Sequence, residues 1–292
     1  MKGDFFIKNT EKNKIKWVEK VRYTLELGGK SNRTFDNYKS HINRFLNYYE
    51  ESIEINKLSE DDVVDYFRKQ YIDLNSCSSS LNVGICSIRF LYSVCFNRKL
   101  NNDLLPSTKL SKKMPTIIPK QLFLKIFNEE TCLKHKCWLI LAFCSGLRVD
   151  EVATLRIENI YPNEHKLKIL GKRNKERYTI LPDIVTKFLR LYCKENHITD
   201  KQGYLFISQY DNQEHINSKS IINYFTTLKV AYNLDKNISF HSLRHSFATY
   251  YLMNGGNIIT LKSMLGHSHL DTTNRYLHIA QNFNNLEGIK YV

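Results

Sequence analysis

Residues 241–252 read HSLRHSFATYYL and residues 265–278 read LGHSHLDTTNRYLH. His241 and Arg244 lie three apart on an expected helix, so they share a face and present an imidazole and a guanidinium to one ligand. His267 follows a Leu-Gly helix stop, and Tyr276 comes nine residues later. Further upstream, SGLRVDEVATL (145–155) sets Arg148 just past a Ser-Gly break at the head of a short helix, where a side chain can be aimed out of the core. GKRNKERYTILP (171–182) sets Lys172 in the turn of an apparent hairpin. Together these groups suit a phosphodiester. The planar forks of Arg148 and Arg244 match its non-bridging oxygens and the extra charge of a pentacoordinate phosphorane. A phenol with an ordinary pKa of about 10 needs cationic surroundings to attack as phenolate, which this set supplies. Lys172, on a flexible turn, is placed to protonate a leaving sugar oxygen.

Outward from these motifs the chain reads as mainly α with a small antiparallel β-sheet. In the first hundred residues Phe35, Tyr38, Ile42, Phe45, Leu46 and Tyr49 recur at helical intervals. Ser59 and Asp62 form a capping-box pattern ahead of Val63, Val64, Tyr66 and Phe67. A further helix is expected over 80–96. The stretch LPSTKLSKKMPTIIPK (105–120) holds three prolines and four lysines without helical period, which marks a basic linker, taken as 109–119. That divides the chain into a helical domain, 1–108, and a second domain, 120–292. In the second, Pro119 suits the start of a helix over 120–127, and the apolar run 136–144 reads as a buried helix. Three alternating segments, 155–160, 166–170 and 177–181, read as strands. Helices follow over 184–193 and 218–232, then the His241 helix ended by Gly255-Gly256, then 258–265 and 272–280 with Asp271 as N-cap.

Composition narrows the partner. The net charge is +14, and residues 1–110 carry 18 Lys and Arg against 14 Asp and Glu, while the rest carries 25 against 15. The positive field therefore sits mainly on the part that holds the motifs, and nucleic acid fits it better than membrane, because no amphipathic basic tail accompanies the charge. Charge kept only for solubility is the plainer alternative. Seven cysteines without a C-x-x-C pair read as reduced core residues, and MKGDFFIKNTEKNKIK has no apolar leader core. No segment reads as an uncharged apolar stretch of membrane-spanning length, so the expected location is the cytoplasm.

Histidines 241, 245, 267 and 269 also suggest zinc. That reading lacks the Glu of an H-E-x-x-H helix and any Cys or carboxylate completing a ligand set. No phosphate-cradling glycine loop, dinucleotide fingerprint or two-metal carboxylate triad is present. No cofactor is expected.

The four boxes SGLRVDEVATL, GKRNKERYTILP, HSLRHSFATYYL and LGHSHLDTTNRYLH, in that order and spacing, resemble the signature of the tyrosine recombinases, or phage integrases, most closely their short Xer-like branch. The resemblance implies a helical SAM-like core-binding domain and a mixed α/β catalytic domain. It places Arg148, Lys172, His241, Arg244 and His267 on the catalytic positions and Tyr276 on the nucleophile. It further implies double-stranded DNA with short inverted-repeat core sites as partner, a 3′-phosphotyrosine intermediate formed without metal or nucleotide, and a homo- or hetero-tetramer on DNA. A catalytically inactive DNA-binding factor of the same fold and a type IB topoisomerase-like relaxing enzyme are the alternatives. Arg173 departs from the family's glycine in the G-K-G turn. Phe283, Leu286 and Ile289 form an apolar pattern in the tail that resembles a segment docking on a neighbouring protomer, with a frayed end as the alternative.

Overall fold

A computed structural model describes residues 8–107, 114–171, 176–208 and 214–287, the last six of these by backbone alone. The chain divides into two compact units, Met1–Lys112 and Lys113–Val292.

The first unit is built from α1 (Glu11–Leu27), α2 (Asn32–Tyr48), α3 (Glu60–Phe67) and α4 (Ser78–Phe96). Each helix turns a stripe inward: Trp17, Val18, Val21 and Leu25 from α1, Ile42, Phe45 and Leu46 from α2, Val63, Tyr66 and Phe67 from α3, Ile85, Ile88, Leu91 and Tyr92 from α4. Phe35, Tyr38 and Tyr49 pack at the edge of this core. The expected capping box starts α3, with Asp62 N–H donating to Ser59 Oγ (3.1 Å) and Ser59 N–H donating to Asp62 Oδ2 (2.9 Å). α4 is the most apolar helix of this unit. Its 19 residues are long and apolar enough by length and composition to cross a membrane, with Arg89 the one charge. Its Ile85, Ile88, Leu91 and Tyr92 are instead spent on the helical core, and Tyr92 Oη donates to the Ile55 carbonyl (2.7 Å).

The second unit comprises α5 (Lys120–Glu129), α6 (Leu133–Ser145), α7 (Val149–Ala153), β1 (Ile160–Tyr161), β2 (Lys166–Leu170), β3 (Glu176–Ile180), α8 (Asp183–Glu195), α9 (Ser218–Ala231), α10 (Phe240–Met253), α11 (Ile258–Leu265) and α12 (Asp271–Glu287). Residues 114–119 of the expected linker precede α5, and Ile118 is buried in this unit's core, its N–H donating to Ser246 Oγ of α10 (2.8 Å). α6 is apolar nearly all round because it is enclosed, and it packs against α8 and α10. The sheet is antiparallel in the order β1-β2-β3, with Leu167 opposite Thr179 and Leu170 opposite Glu176.

The first expected strand shrinks to Ile160–Tyr161. The alternation in LRIEN is used elsewhere: the Leu155 carbonyl accepts from Leu205 N–H (2.8 Å), Ile157 N–H donates to the Gly203 carbonyl (3.1 Å), and residues 157–159 wind into a 3-10 turn. α12 begins at Asp271, so this residue lies inside the helix and not at its cap. The Leu270 carbonyl accepts the first bonds, from Thr273 and Asn274. Among the described residues all seven cysteines are free thiols.

Candidate active site

Two helix stops set up the cleft. α6 ends at Gly146, in the left-handed region at φ 68°, and α11 ends at Gly266, at φ 64°. Each stop is followed closely by a site residue, Arg148 after the first and His267 after the second. Arg244 of α10 joins the two stops. Its Nη1 donates to the Gly146 carbonyl (2.7 Å) and its Nη2 to the Leu265 carbonyl (2.5 Å). A guanidinium only 1% exposed is thus held by carbonyls at two helix C-termini, where the backbone dipoles favour a cation. Burial and the nearby Arg148 pull the Arg244 pKa down to about 9, Glu151 opposes this, and the group remains cationic at neutral pH.

Glu151, on α7, is the counter-charge. Its carboxylate accepts from Arg148 Nη1 (2.8 Å) and from the Arg148 backbone N–H (2.7 Å), takes both Nη atoms of Arg177 (2.8 and 2.7 Å), and lies 3.6 Å from Arg244 Nη1. Burial raises its pKa, but Arg177, the Arg148 N–H and Arg244 more than offset this and bring it to about 2. Arg177, on β3, also donates from Nε to the Met264 carbonyl (2.8 Å), which ties the sheet to the end of α11.

Tyr276, on α12, is 3% exposed. Its hydroxyl lies 2.7 Å from His245 Nδ1, and the His267 ring stacks over it at 6.3 Å between centroids. Burial raises the Tyr276 pKa, and the lowering by Arg244, Arg275 and Arg148 does not offset it. The expectation that cationic surroundings favour the phenolate therefore holds in sign for the arginines but loses to burial in this state. His267 Nδ1 pairs with Thr273 Oγ1 at 3.0 Å; burial, then Arg244 and Arg148, lower its pKa to about 4, so it is neutral at pH 7. His241 is exposed, and its ring meets that of His245 edge-on at 4.5 Å. Its pKa is also lowered, by the surrounding protein and then by Arg244 and Arg148.

A cleft of about 880 Å³ is lined by Arg148, Glu151, Gly171, Glu176, Arg177 and His267 among others. The structure thus gathers Arg148 and Arg244 around Glu151, and His241 and His267 around the His245–Tyr276 pair, with the arginines acting on Tyr276 electrostatically. Lys172 lies outside the described residues, as do Arg173 and the side chains of Phe283, Leu286 and Ile289. Among the described residues no group of three or more His, Cys, Asp or Glu is arranged to hold a metal.

Three members of the site escape motif reading: Glu151, Arg177 and His245. Glu151 signals itself only as the i+3 carboxylate after Arg148, Arg177 as a charged residue at an inward position of an alternating strand, and His245 as the i+4 neighbour of His241.

This succession of a helical unit and a mixed unit is a fold shared with solved structures of a site-specific recombinase and of an integrase, each bound to DNA. The XerH site-specific recombinase bound to palindromic difH substrate superposes with a TM-score of 0.77 at 15% identity, covering 98% of each chain. A lambda integrase dimer bound to a COC′ core site gives 0.70 at 18% identity, over 90% of this chain and 76% of the other. At these identities the likeness is one of fold. Family models supply the identity: the phage integrase family matches residues 120–282, and its N-terminal SAM-like domain matches residues 17–102. The chain belongs to the phage integrase family. Similar curated proteins include the tyrosine recombinase XerD of Staphylococcus epidermidis, 27% identical over 272 residues covering 87% of this chain and 90% of the relative, and XerD of Oceanobacillus iheyensis, 26% identical over 270 residues with the same coverage.

Proposed function

We propose that this chain is a site-specific DNA recombinase that breaks and rejoins strands through a 3′-phosphotyrosine formed on Tyr276. The observation that carries the reading is the position of the Tyr276 phenol. It is hydrogen-bonded to an imidazole and lies in the field of Arg148 and Arg244, whose guanidiniums are fixed by Glu151 and two helix-end carbonyls. Arg148 and Arg244 take the non-bridging oxygens of the scissile phosphate, and His241 and His267, both adjacent to these cations, add hydrogen bonds to it. Lys172, in the segment between β2 and β3, protonates the leaving 5′ oxygen. Partners follow from charge and kinship. The +14 chain binds duplex DNA through its helical core-binding domain (1–108) and its catalytic domain (120–292), and it works as a tetramer on paired inverted-repeat core sites, in the cytoplasm.

Tyr276→Phe removes only the nucleophilic oxygen. With a cognate site, denaturing gels should show a covalent protein–DNA adduct for the wild type alone, with mobility-shift affinity unchanged in the variant. An adduct that persists in the variant rejects Tyr276. Cleavage by the wild type should survive EDTA, because the phenol, the cations and the ammonium supply every charge and proton the step uses.

A further inference from the structure

We propose that His245 is the group that takes the proton from Tyr276, which leaves His241 free to serve the phosphate. The inference rests on the reading of Tyr276 as nucleophile. Among the described residues the Tyr276 hydroxyl finds its hydrogen-bond partner in His245 Nδ1, at 2.7 Å, the heavy-atom distance a proton acceptor needs. The other two imidazoles are placed differently. His267 spends its Nδ1 on Thr273 and lies over the face of the Tyr276 ring, and His241 is exposed, its ring meeting His245 edge-on.

The surroundings make the transfer depend on substrate. His241 of α10 and Tyr276 of α12 meet the His245 ring, and Arg244 of α10, His267 beyond α11 and Arg275 of α12 act on it electrostatically. Burial first, then His241, Arg244, Arg275 and His267, hold its pKa at about 3. The free protein therefore keeps His245 neutral, and in the Nε2–H tautomer its Nδ1 accepts from a phenol that stays protonated. A phosphodiester bound to Arg148 and Arg244 brings a negative charge that cancels the repulsion between these cations and an imidazolium. The proton then moves from Tyr276 Oη to His245 Nδ1, Oη forms its bond to phosphorus, the bond from phosphorus to O5′ breaks, and O5′ takes a proton from the general acid. Activation of the phenol is thereby restricted to DNA-bound protein.

The test is single-turnover cleavage of a nicked suicide substrate by His245→Asn, which keeps an acceptor near the Nδ1 position but cannot hold a proton. Adduct formation should slow by about 100- to 10,000-fold with DNA affinity unchanged. Its rate should then climb with pH from 6 to 9, as ionisation of the phenol to solvent takes over. A fluorinated tyrosine at 276, with a more acidic phenol, should recover much of the variant's loss and change the wild type little. A variant cleaving within a few-fold of wild type with an unchanged pH profile overturns the inference, as does transfer of the pH and fluorotyrosine signatures to His241→Asn. Ring ¹⁵N spectra of the free wild type check it without any variant: a protonated His245 Nδ1 rejects it. Failure of the wild type to form an adduct would instead reject the assignment of Tyr276.

Discussion

Arg177 grips both carboxylate oxygens of Glu151, at 2.8 and 2.7 Å, from an edge strand of the sheet. The same carboxylate pairs with Arg148 and stands 3.6 Å from Arg244, so one buried anion is shared by three guanidiniums. A cleft that must receive a phosphate needs cations in excess, yet cations cannot be packed together below the surface without a counter-charge. Glu151 supplies it, and its geometry fixes where the guanidiniums of Arg148 and Arg177 lie.

Glu151→Gln should therefore cost about 3–5 kcal/mol, the range for removing one partner of a buried ion pair. The cost carries a pH signature. Glu151 has its folded pKa depressed from 4.5 to about 2, so its stabilisation is fully present above pH 4.5 and is lost as pH falls toward 2. The shift corresponds to about 3 kcal/mol. Urea unfolding of wild type and variant at several pH values should show a stability gap that is constant near pH 6 and narrows steadily below pH 4.5. A gap independent of pH would mean that the carboxylate charge contributes nothing there. Cleavage should fall as well, by about 100-fold, since Arg148 loses the partner that fixes its guanidinium.

Gly146→Ala tests the helix stop that carries Arg148 and offers its carbonyl to Arg244. The position has φ 68°, and an added Cβ would come within 2.4 Å of Phe247 Cδ1. Left-handed strain of about 1–2 kcal/mol and overpacking of about 1–3 kcal/mol should add to a loss of roughly 2–5 kcal/mol. Gly255, at φ 80° with nothing within 4 Å of its added Cβ, isolates the strain alone. Thermal unfolding should rank the two variants with Gly146→Ala clearly the less stable; equal losses would show that Phe247 yields freely.

The outline of this site could be read from sequence because Arg148, His241, Arg244, His267 and Tyr276 each sit in a short motif punctuated by a helix start or a glycine stop. β2 and β3 followed from alternation in the same way. The first strand misled because alternation in LRIEN records burial, which a 3-10 turn bridged to residues 203–205 satisfies equally well. Glu151, Arg177 and His245 were hidden for a different reason. Motif reading collects groups that reach the substrate, whereas these three act on the groups that do, and partners of theirs lie 26, 31 and 87 residues away in the chain. The state of Tyr276 was also out of reach, since the balance between burial and three arginines is decided only once the fold places them.

The last prediction concerns Lys172. Gly171 and Glu176, the described residues flanking the segment, line the same cleft as Arg148 and His267, and Leu170 pairs with Glu176 across the base of the hairpin. Lys172 follows Gly171 directly in the chain. If its ammonium protonates the departing 5′ oxygen, Lys172→Ala should slow cleavage of an ordinary substrate by about 100- to 10,000-fold. A substrate with sulfur in place of the bridging 5′ oxygen leaves without a proton, and on it the variant should regain most of the wild-type rate. Single-turnover measurements on the matched pair of substrates decide the role. Equal defects on both would make Lys172 a phosphate-positioning residue, and the same comparison with Lys175→Ala would then show whether the acid lies at that second lysine.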